Sequence, residues 1–222
     1  MKDGDFEFRS ASLLGNITTY LWPRWDKECF DHIANDFNDF MPRVLDRVNR
    51  KGICVQAGGN AGMYPIALAD FFQEVHTFEA NRVLLELLVE NKERLSADNV
   101  YVHKGVLWNR DGAEIALYSD RPQNTGMYLT REPTEIMKSF ELDRLTTSTI
   151  DSLGLKGCDF IQLDIEGAEY EAMVGAKETV MNYRPVVLLE QSWKIKELEA
   201  LMDGYGYDQV EGHKADRLYI PR

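Results

Sequence analysis

Positive charge is scarce in this chain: 25 lysines and arginines stand against 37 aspartates and glutamates, a formal net charge of −12. Nucleic-acid binders carry a basic footprint. No stripe of Lys or Arg runs through the sequence, so nucleic acid is not an expected partner. No apolar run approaches the roughly 20 residues that cross a bilayer, so no membrane span is expected. The opening residues MKDGDFEFRS include acids and lack an apolar core, and they are not expected to form a secretory signal. Cysteine is sparse and odd in number, at Cys29, Cys54 and Cys158. Cys54 and Cys158 fall in apolar strand-like runs, where a thiol acts as a small hydrophobe. A reducing, cytoplasmic location is the expectation. The four histidines (His32, His76, His103, His213) show no metal-ligand spacing such as HExxH. His76 lies inside a strand-like run and reads as structural. The pattern GxxxxGK[ST] is also missing, which excludes a P-loop.

What is present is a rhythm of strands and helices. The apolar positions Phe30, Ile33, Phe37, Phe40, Val44, Leu45 and Val48 fall near a 3.6-residue period and predict a helix from Asp26 to about Arg50, kinked or split by Pro42. The residues before it are mixed, and Trp22 and Trp25, which flank Pro23, read as packing anchors more than as acceptor-site aromatics. From Gly52 onward strands alternate with helices. Strands are predicted at Ile53–Ala57, Val75–Phe78, Val100–Leu107, Glu114–Tyr118, Phe160–Ile165 and Val186–Glu190. Helices are predicted from about Met63, over Arg82–Leu95, Ala168–Met181 and Lys194–Met202, with a short helical turn at Thr149–Leu153. Residues 119–138 break the rhythm with two prolines and many polar groups and read as an insertion loop, followed by an edge strand over Phe140–Leu145. The tail alternates around a turn at Gly212–Ala215 and predicts a terminal antiparallel hairpin. Together these predict an α/β fold with a Rossmann-like, doubly wound, mostly parallel seven-stranded sheet. Residues 1–51 would be a helical extension packed on a core of residues 52–222.

The segment ICVQAGGNAGMYPIALADFF, followed by HTFEAN, carries the chemistry. A strand that turns sharply into a helix aims free N–H groups and a positive dipole end at whatever lies over the turn. Glu79, at the end of the next strand, lies about 20 residues past the first glycine, where a carboxylate grips ribose hydroxyls. The dinucleotide spacing GxGxxG fails in both registers, since Asn60 and Met63, or Ala61 and Tyr64, occupy the required glycine positions. What stands is a GxNxG turn, Gly58-Gly59-Asn60-Ala61-Gly62. A second cluster follows in FIQLDIEGAEYEAMVGA. Gln162, Asp164 and Glu166 share one face at the carboxyl end of a strand, where open sheets bind ligands. Glu166 and Glu169 also suit a helix start. Asp164 follows a buried apolar run, where a carboxylate is costly without a partner or a task.

These segments resemble the motifs of the FkbM family of class I S-adenosylmethionine (SAM) methyltransferases. IQLDIEGAEYEAMVGA is similar to its K-[IV]-D-[VI]-E-G-x-E block, VQAGGNAG to its D-[VI]-G-A-N-x-G turn, TFEAN to its F-E-P-N, and STIDSL to a segment upstream of the acidic block. RPVVLLE and the late LYI resemble its closing strands. The similarity runs from about Gly52 to the C-terminus. Two departures stand out: Gln56 replaces the family's first-strand aspartate, and Gln162 replaces its motif lysine.

The resemblance implies SAM as cofactor and O-methylation of a hydroxyl on a sugar, polyketide or other small molecule. It implies that Gln56, Gly58, Gly59, Asn60 and Gly62 border the methionine and ribose, and that Glu79, with Ala80 and Asn81, receives the ribose diol. Lys104, Gly105 and Val106 would border the adenine, with Trp108 as a stacking or packing neighbour. Asp164 would lie beside the sulfonium and act as base, with Glu166 orienting the acceptor. Asn124 and Tyr128, in the insertion, would help to select that acceptor. No metal is expected, because two carboxylates at one strand end are too few to define a site. Other readings remain open: a SAM-binding module weakened by Gln56 and Gln162, an NAD or sugar-nucleotide enzyme, and, least favoured by charge, a nucleic-acid methyltransferase.

Overall fold

The computed structural model describes residues 4–119, 124–126, 129–131, 141–190 and 193–222. The chain opens with an antiparallel hairpin, β1 (Phe6–Leu13) and β2 (Asn16–Pro23), in the stretch that the sequence pattern left mixed. Helix α1 (Cys29–Leu45) follows and runs through Pro42 without splitting. The Asn38 side chain is committed to the hairpin, accepting from Leu14 N at 2.8 Å and donating to Ser12 O at 2.7 Å. Trp22 is a packing residue: it is fully buried, meets Phe30 edge-on at 5.0 Å, and donates from its ring nitrogen to Asp26 at 2.7 Å.

The core then alternates strand and helix: β3 (Ile53–Ala57), α2 (Met63–Leu68), β4 (Glu74–Glu79), α3 (Arg82–Arg94) and β5 (Val100–Lys104). Next come β6 (Val106–Leu107), β7 (Glu114–Tyr118), β8 (Leu129–Arg131) and β9 (Glu141–Ser148). The second half holds β10 (Phe160–Leu163), α4 (Glu169–Val174), α5 (Lys177–Tyr183), β11 (Val186–Leu189), α6 (Ile195–Gly204), β12 (Tyr207–His213) and β13 (Asp216–Pro221). The main sheet has seven strands in the order β12-β13-β11-β10-β3-β4-β5. Its five strands from β11 to β5 are parallel, and the closing hairpin is antiparallel.

Pleating splits the apolar residues between two layers. Cys54, Val75, Phe160 and Leu188 face helices α1 to α3, whereas Val55, Ile161, Val187 and Leu189 face α4 to α6. This is the doubly wound arrangement that the βα rhythm predicts.

Three elements differ from the sequence pattern. The strand expected over Val100–Leu107 breaks at Gly105 (φ 143°), and its end leaves for a second, four-stranded sheet ordered β6-β9-β7-β8. In that sheet β9, expected to be an edge strand, lies between β6 and β7. The helix expected over Ala168–Met181 breaks at Gly175, where a Cβ would come within 2.1 Å of the Trp108 carbonyl oxygen. The Asp151 carboxylate caps the new start at α5, accepting from Glu178 N at 2.9 Å and Thr179 N at 2.8 Å. No helix among the described residues is long and apolar enough to cross a membrane.

Candidate active site

Strands β3 and β10 lie side by side and parallel, yet the chain leaves β3 toward β4 and leaves β10 toward β11. The loops diverge, and a crevice opens at the carboxyl ends of the two strands. A cavity of about 420 Å³ occupies that place, and Glu79 and Asp164 both line it. The glycine turn forms its floor. Gly58 N and Gly59 N donate to Phe78 O at 3.1 and 2.9 Å, drawing the turn over the end of β4. Gly58 has φ 82°, and a Cβ on it would lie 1.9 Å from the Asp164 carbonyl oxygen. Glycine is required there both by conformation and by space.

Gln56, in place of an acid, braces this turn: its amide nitrogen donates to Ala57 O at 3.0 Å and Gly58 O at 3.1 Å, and its oxygen accepts from the Thr77 hydroxyl. Asn60 adopts φ 48° and reaches the insertion, donating to Thr125 O at 3.1 Å and the Thr125 hydroxyl at 3.2 Å. Asp26 holds the same insertion segment and the start of α1, accepting from Phe30 N at 3.1 Å and Thr125 N at 3.4 Å.

Glu79 accepts from Asn60 N and from Asn81 N, each at 2.7 Å. A carboxylate has about four acceptor positions, and the Ala80 backbone also acts on this one, so acceptor capacity remains for a ribose hydroxyl. Burial pushes its carboxyl up to about 7, opposed in part by those backbone bonds. Between the ordinary carboxyl range and pH 7 the folded chain therefore holds a proton that the unfolded chain has lost. That contribution to stability is complete below the unfolded value and disappears as pH rises to about 7. We expect Glu79→Gln to remove this share of the decline. Thermal midpoints from pH 5 to pH 8 that fall equally in both proteins would refute it.

The acidic end is denser than the sequence shows. Asp164 sits just past β10, its N–H donating to Ala57 O at 3.1 Å, and its side chain stays accessible at the cavity. Glu190, just past β11, lines the same cavity. Carboxylate oxygens of Asp164, Glu166 and Glu190 all lie within 4.8 Å of one another. Desolvation, then the Asp164 charge, drives Glu190 up to about 11, and the same two causes in the same order push Glu166 up to about 8. Desolvation by the protein packed around the cavity mouth raises Asp164 as well, although its side chain is open to the cavity, while a hydrogen bond from Glu190 opposes the rise. Glu169 is a structural acid: fully buried, it accepts from Ile165 N at 3.0 Å and Gly167 N at 3.3 Å, fixing the turn in which Glu166 (φ 53°) and Gly167 (φ 99°) are left-handed.

Of the residues expected at the site, Gln56, Gly58, Gly59, Asn60, Glu79 and Ala80 line the cavity, as do Gly105, Val106, Asn124, Asp164 and Glu166. Gly62, Asn81 and Lys104 do not. Gly62 (φ 97°) caps α2, Asn81 caps α3 by accepting from Val83 N at 2.9 Å, and Lys104 points to solvent. Trp108 packs in the small-sheet core instead of bordering the cavity. His76 is away from the cavity, stacked on Tyr101 and His103. Tyr128 lies outside the described residues. Sequence reasoning missed Glu190 and the wall supplied by α1. From that wall Cys29, His32 and Ile33 face the cavity, with His32 Nε2 held 3.1 Å from Asp36. The only sequence signal for Glu190 was its position at the end of a buried strand.

A family model described as "Methyltransferase FkbM domain" matches residues 57–208. No curated protein matches the chain. Among solved structures, methyltransferase FkbM from Methylobacillus flagellatus KT superposes with a TM-score of 0.57 at 18% identity, over 77% of this chain and 44% of that one. This chain thus spans less than half the length of that relative. TYW2 from M. jannaschii, solved in complex with AdoMet, gives a TM-score of 0.51 at 11% identity, over 99% of this chain and 85% of that one. At these identities the two structures establish a shared fold.

Proposed function

The chain belongs to the FkbM family of methyltransferases, and from that premise we propose that it O-methylates a hydroxyl of a sugar, glycan or other small molecule. Its methyl donor is S-adenosyl-L-methionine, which supplies an electrophilic methyl carbon on a positively charged sulfur. The residues present suit such a group. The Gly58–Gly59 backbone lines the cavity with no side chain between it and a ligand, Glu79 keeps acceptor capacity free, and no lysine or arginine lines the cavity among the described residues to repel its charge. The observation that carries the reading is Glu79 and Asp164 lining one cavity over the glycine turn.

In this reading Glu79 orients the ribose and the turn amides meet the methionine end. Methyl transfer is an in-line displacement that depends on close approach and alignment. Asp164 is the base for the acceptor hydroxyl, and its raised affinity for a proton suits that task. Glu166 orients the acceptor. Asn124, on the insertion, lines the cavity and helps to select the acceptor, while Thr125 ties the insertion to Asn60. Residues 1–51 form an extension that completes the wall of a methyltransferase domain over residues 52–222. A cytoplasmic location belongs to the same reading, supported by three buried free thiols.

Calorimetry with SAM tests the cleft, and methyl release onto a panel of sugar and glycan hydroxyls tests the reaction. Asp164→Asn is expected to lower turnover by about 100-fold or more while SAM affinity changes little. Binding without turnover on any acceptor would favour a SAM-binding module, a reading supported by the internal pairing of Gln56. Failure to bind SAM, with measurable NAD binding, would replace the proposal by a nucleotide oxidoreductase.

A further inference from the structure

We propose that Asp164, Glu166 and Glu190 hold a divalent, oxygen-seeking cation at the acceptor end of the cavity. The site deepens the methyl-transfer reading, which it needs for its role but not for its geometry. Two strand ends and one turn bring the three carboxylates together, with their oxygens within 4.8 Å of one another. A cation that takes oxygen ligands at about 2.3–2.6 Å places opposite ligands roughly twice that distance apart, so the cluster is already the size of a first coordination sphere. Carboxylate sets of this kind suit calcium, manganese or magnesium in preference to softer ions.

A second observation comes from beneath the cluster. Gln162 lies two residues before Asp164 on the same face of β10 and lines the same cavity. Its side chain is 98% buried (2% exposed), and its carboxamide oxygen has no hydrogen-bond partner among the described residues. A buried acceptor left unpaired is costly, and a cation above it supplies the missing partner. The lining is rich in oxygen ligands: Glu28, Glu79, Asp164, Glu166 and Glu190 line the cavity, His32 is the one basic side chain among the described lining residues, and a cation that binds displaces the proton that Glu190 shares with Asp164. A second acidic group on the surface, Asp36, Asp39 and His213, lacks this character, because Lys214 and His32 already pair Asp36. A cation in the cavity draws an acceptor hydroxyl oxygen beside Asp164 and makes its proton easier to remove.

The test is titration of the full chain with Mn²⁺ alone, followed by the loss of the free-ion electron paramagnetic resonance signal. We expect one Mn²⁺ per chain with a dissociation constant of about 10⁻⁵ to 10⁻³ M. Glu190→Gln should weaken it at least about tenfold, and Asp39→Asn should leave it unchanged. No binding in the millimolar range, or binding unaffected by both Glu190→Gln and Asp164→Asn, overturns the site. Should a variant fail to fold, the wild-type chain still decides: Mn²⁺ must raise its thermal midpoint and EDTA must reverse the rise. SAM calorimetry in EDTA reads the cofactor cleft separately, so loss of one result leaves the other intact.

Discussion

Gly58→Ala is expected to abolish cofactor binding. The residue adopts φ 82°, and the added methyl carbon would sit 1.9 Å from the Asp164 carbonyl oxygen. The left-handed conformation alone costs a residue with a Cβ about 1–2 kcal/mol. The steric term is larger, because the obstacle is backbone: Asp164 N is hydrogen-bonded to Ala57 O at 3.1 Å, so β3 and β10 must part for the methyl to fit. Their parting moves the glycine turn and Asp164 at once. SAM affinity should fall, and methyl transfer should fall at least about 100-fold, since misplacement of the reacting groups by an ångström already costs that much in rate. Gly154→Ala is the matched control. Its φ is 60°, nothing lies within 4 Å of the added carbon, and it should cost no more than about 1–2 kcal/mol. Calorimetry and thermal unfolding of both variants separate space from conformation. Wild-type SAM affinity in Gly58→Ala would disprove the close approach.

Asn91→Ala should be the most destabilising polar-to-alanine change in the N-terminal half. Asn91 is completely buried in α3. Its amide nitrogen donates to Leu21 O at 2.9 Å and Ala61 O at 2.8 Å, and its oxygen accepts from Leu21 N at 2.7 Å. One side chain thus serves the free edge of β2 and the end of the glycine turn. Alanine leaves three backbone groups without partners, at about 1–3 kcal/mol each when water cannot reach them. We expect a loss of about 3 kcal/mol or more in urea unfolding, with weaker SAM binding because the Ala61 tether is gone. A loss below about 1 kcal/mol would show that solvent or relaxation replaces these bonds.

Much of the architecture was written in local pattern. The βα rhythm after Gly52, the GxNxG turn, the acid at the end of β4 and the terminal hairpin each follow from short-range chemistry, and the family match over residues 57–208 takes in the glycine turn and the acid but stops at the start of the hairpin. The pattern failed where a distant group overrode it. Gly105 ends one strand because the chain must leave for a second sheet, and Gly175 breaks a helix because the Trp108 carbonyl oxygen occupies the space of a side chain. The N-terminal hairpin gave no clear alternation, since Phe8 and Ile17 stand exposed on its outer face while Arg9 and Thr18 share the face of the buried Ala11 and Leu13, where Arg9 meets Phe30 and Asp31 of α1.

The candidate site divides along the same line. Sequence alone determined which residues stand at strand ends, because alternation and glycine turns are local properties: Gly58, Glu79, Asp164 and Glu166 were all legible. Only the tertiary structure decided that Glu190 joins Asp164, since the two are 26 positions apart in the chain and meet because β10 and β11 pair in parallel. It also decided that Cys29 and His32, in a helix that reads simply as amphipathic, form a wall of the cavity. Proximity across a sheet depends on strand order and register, and no stretch of sequence contains that information by itself.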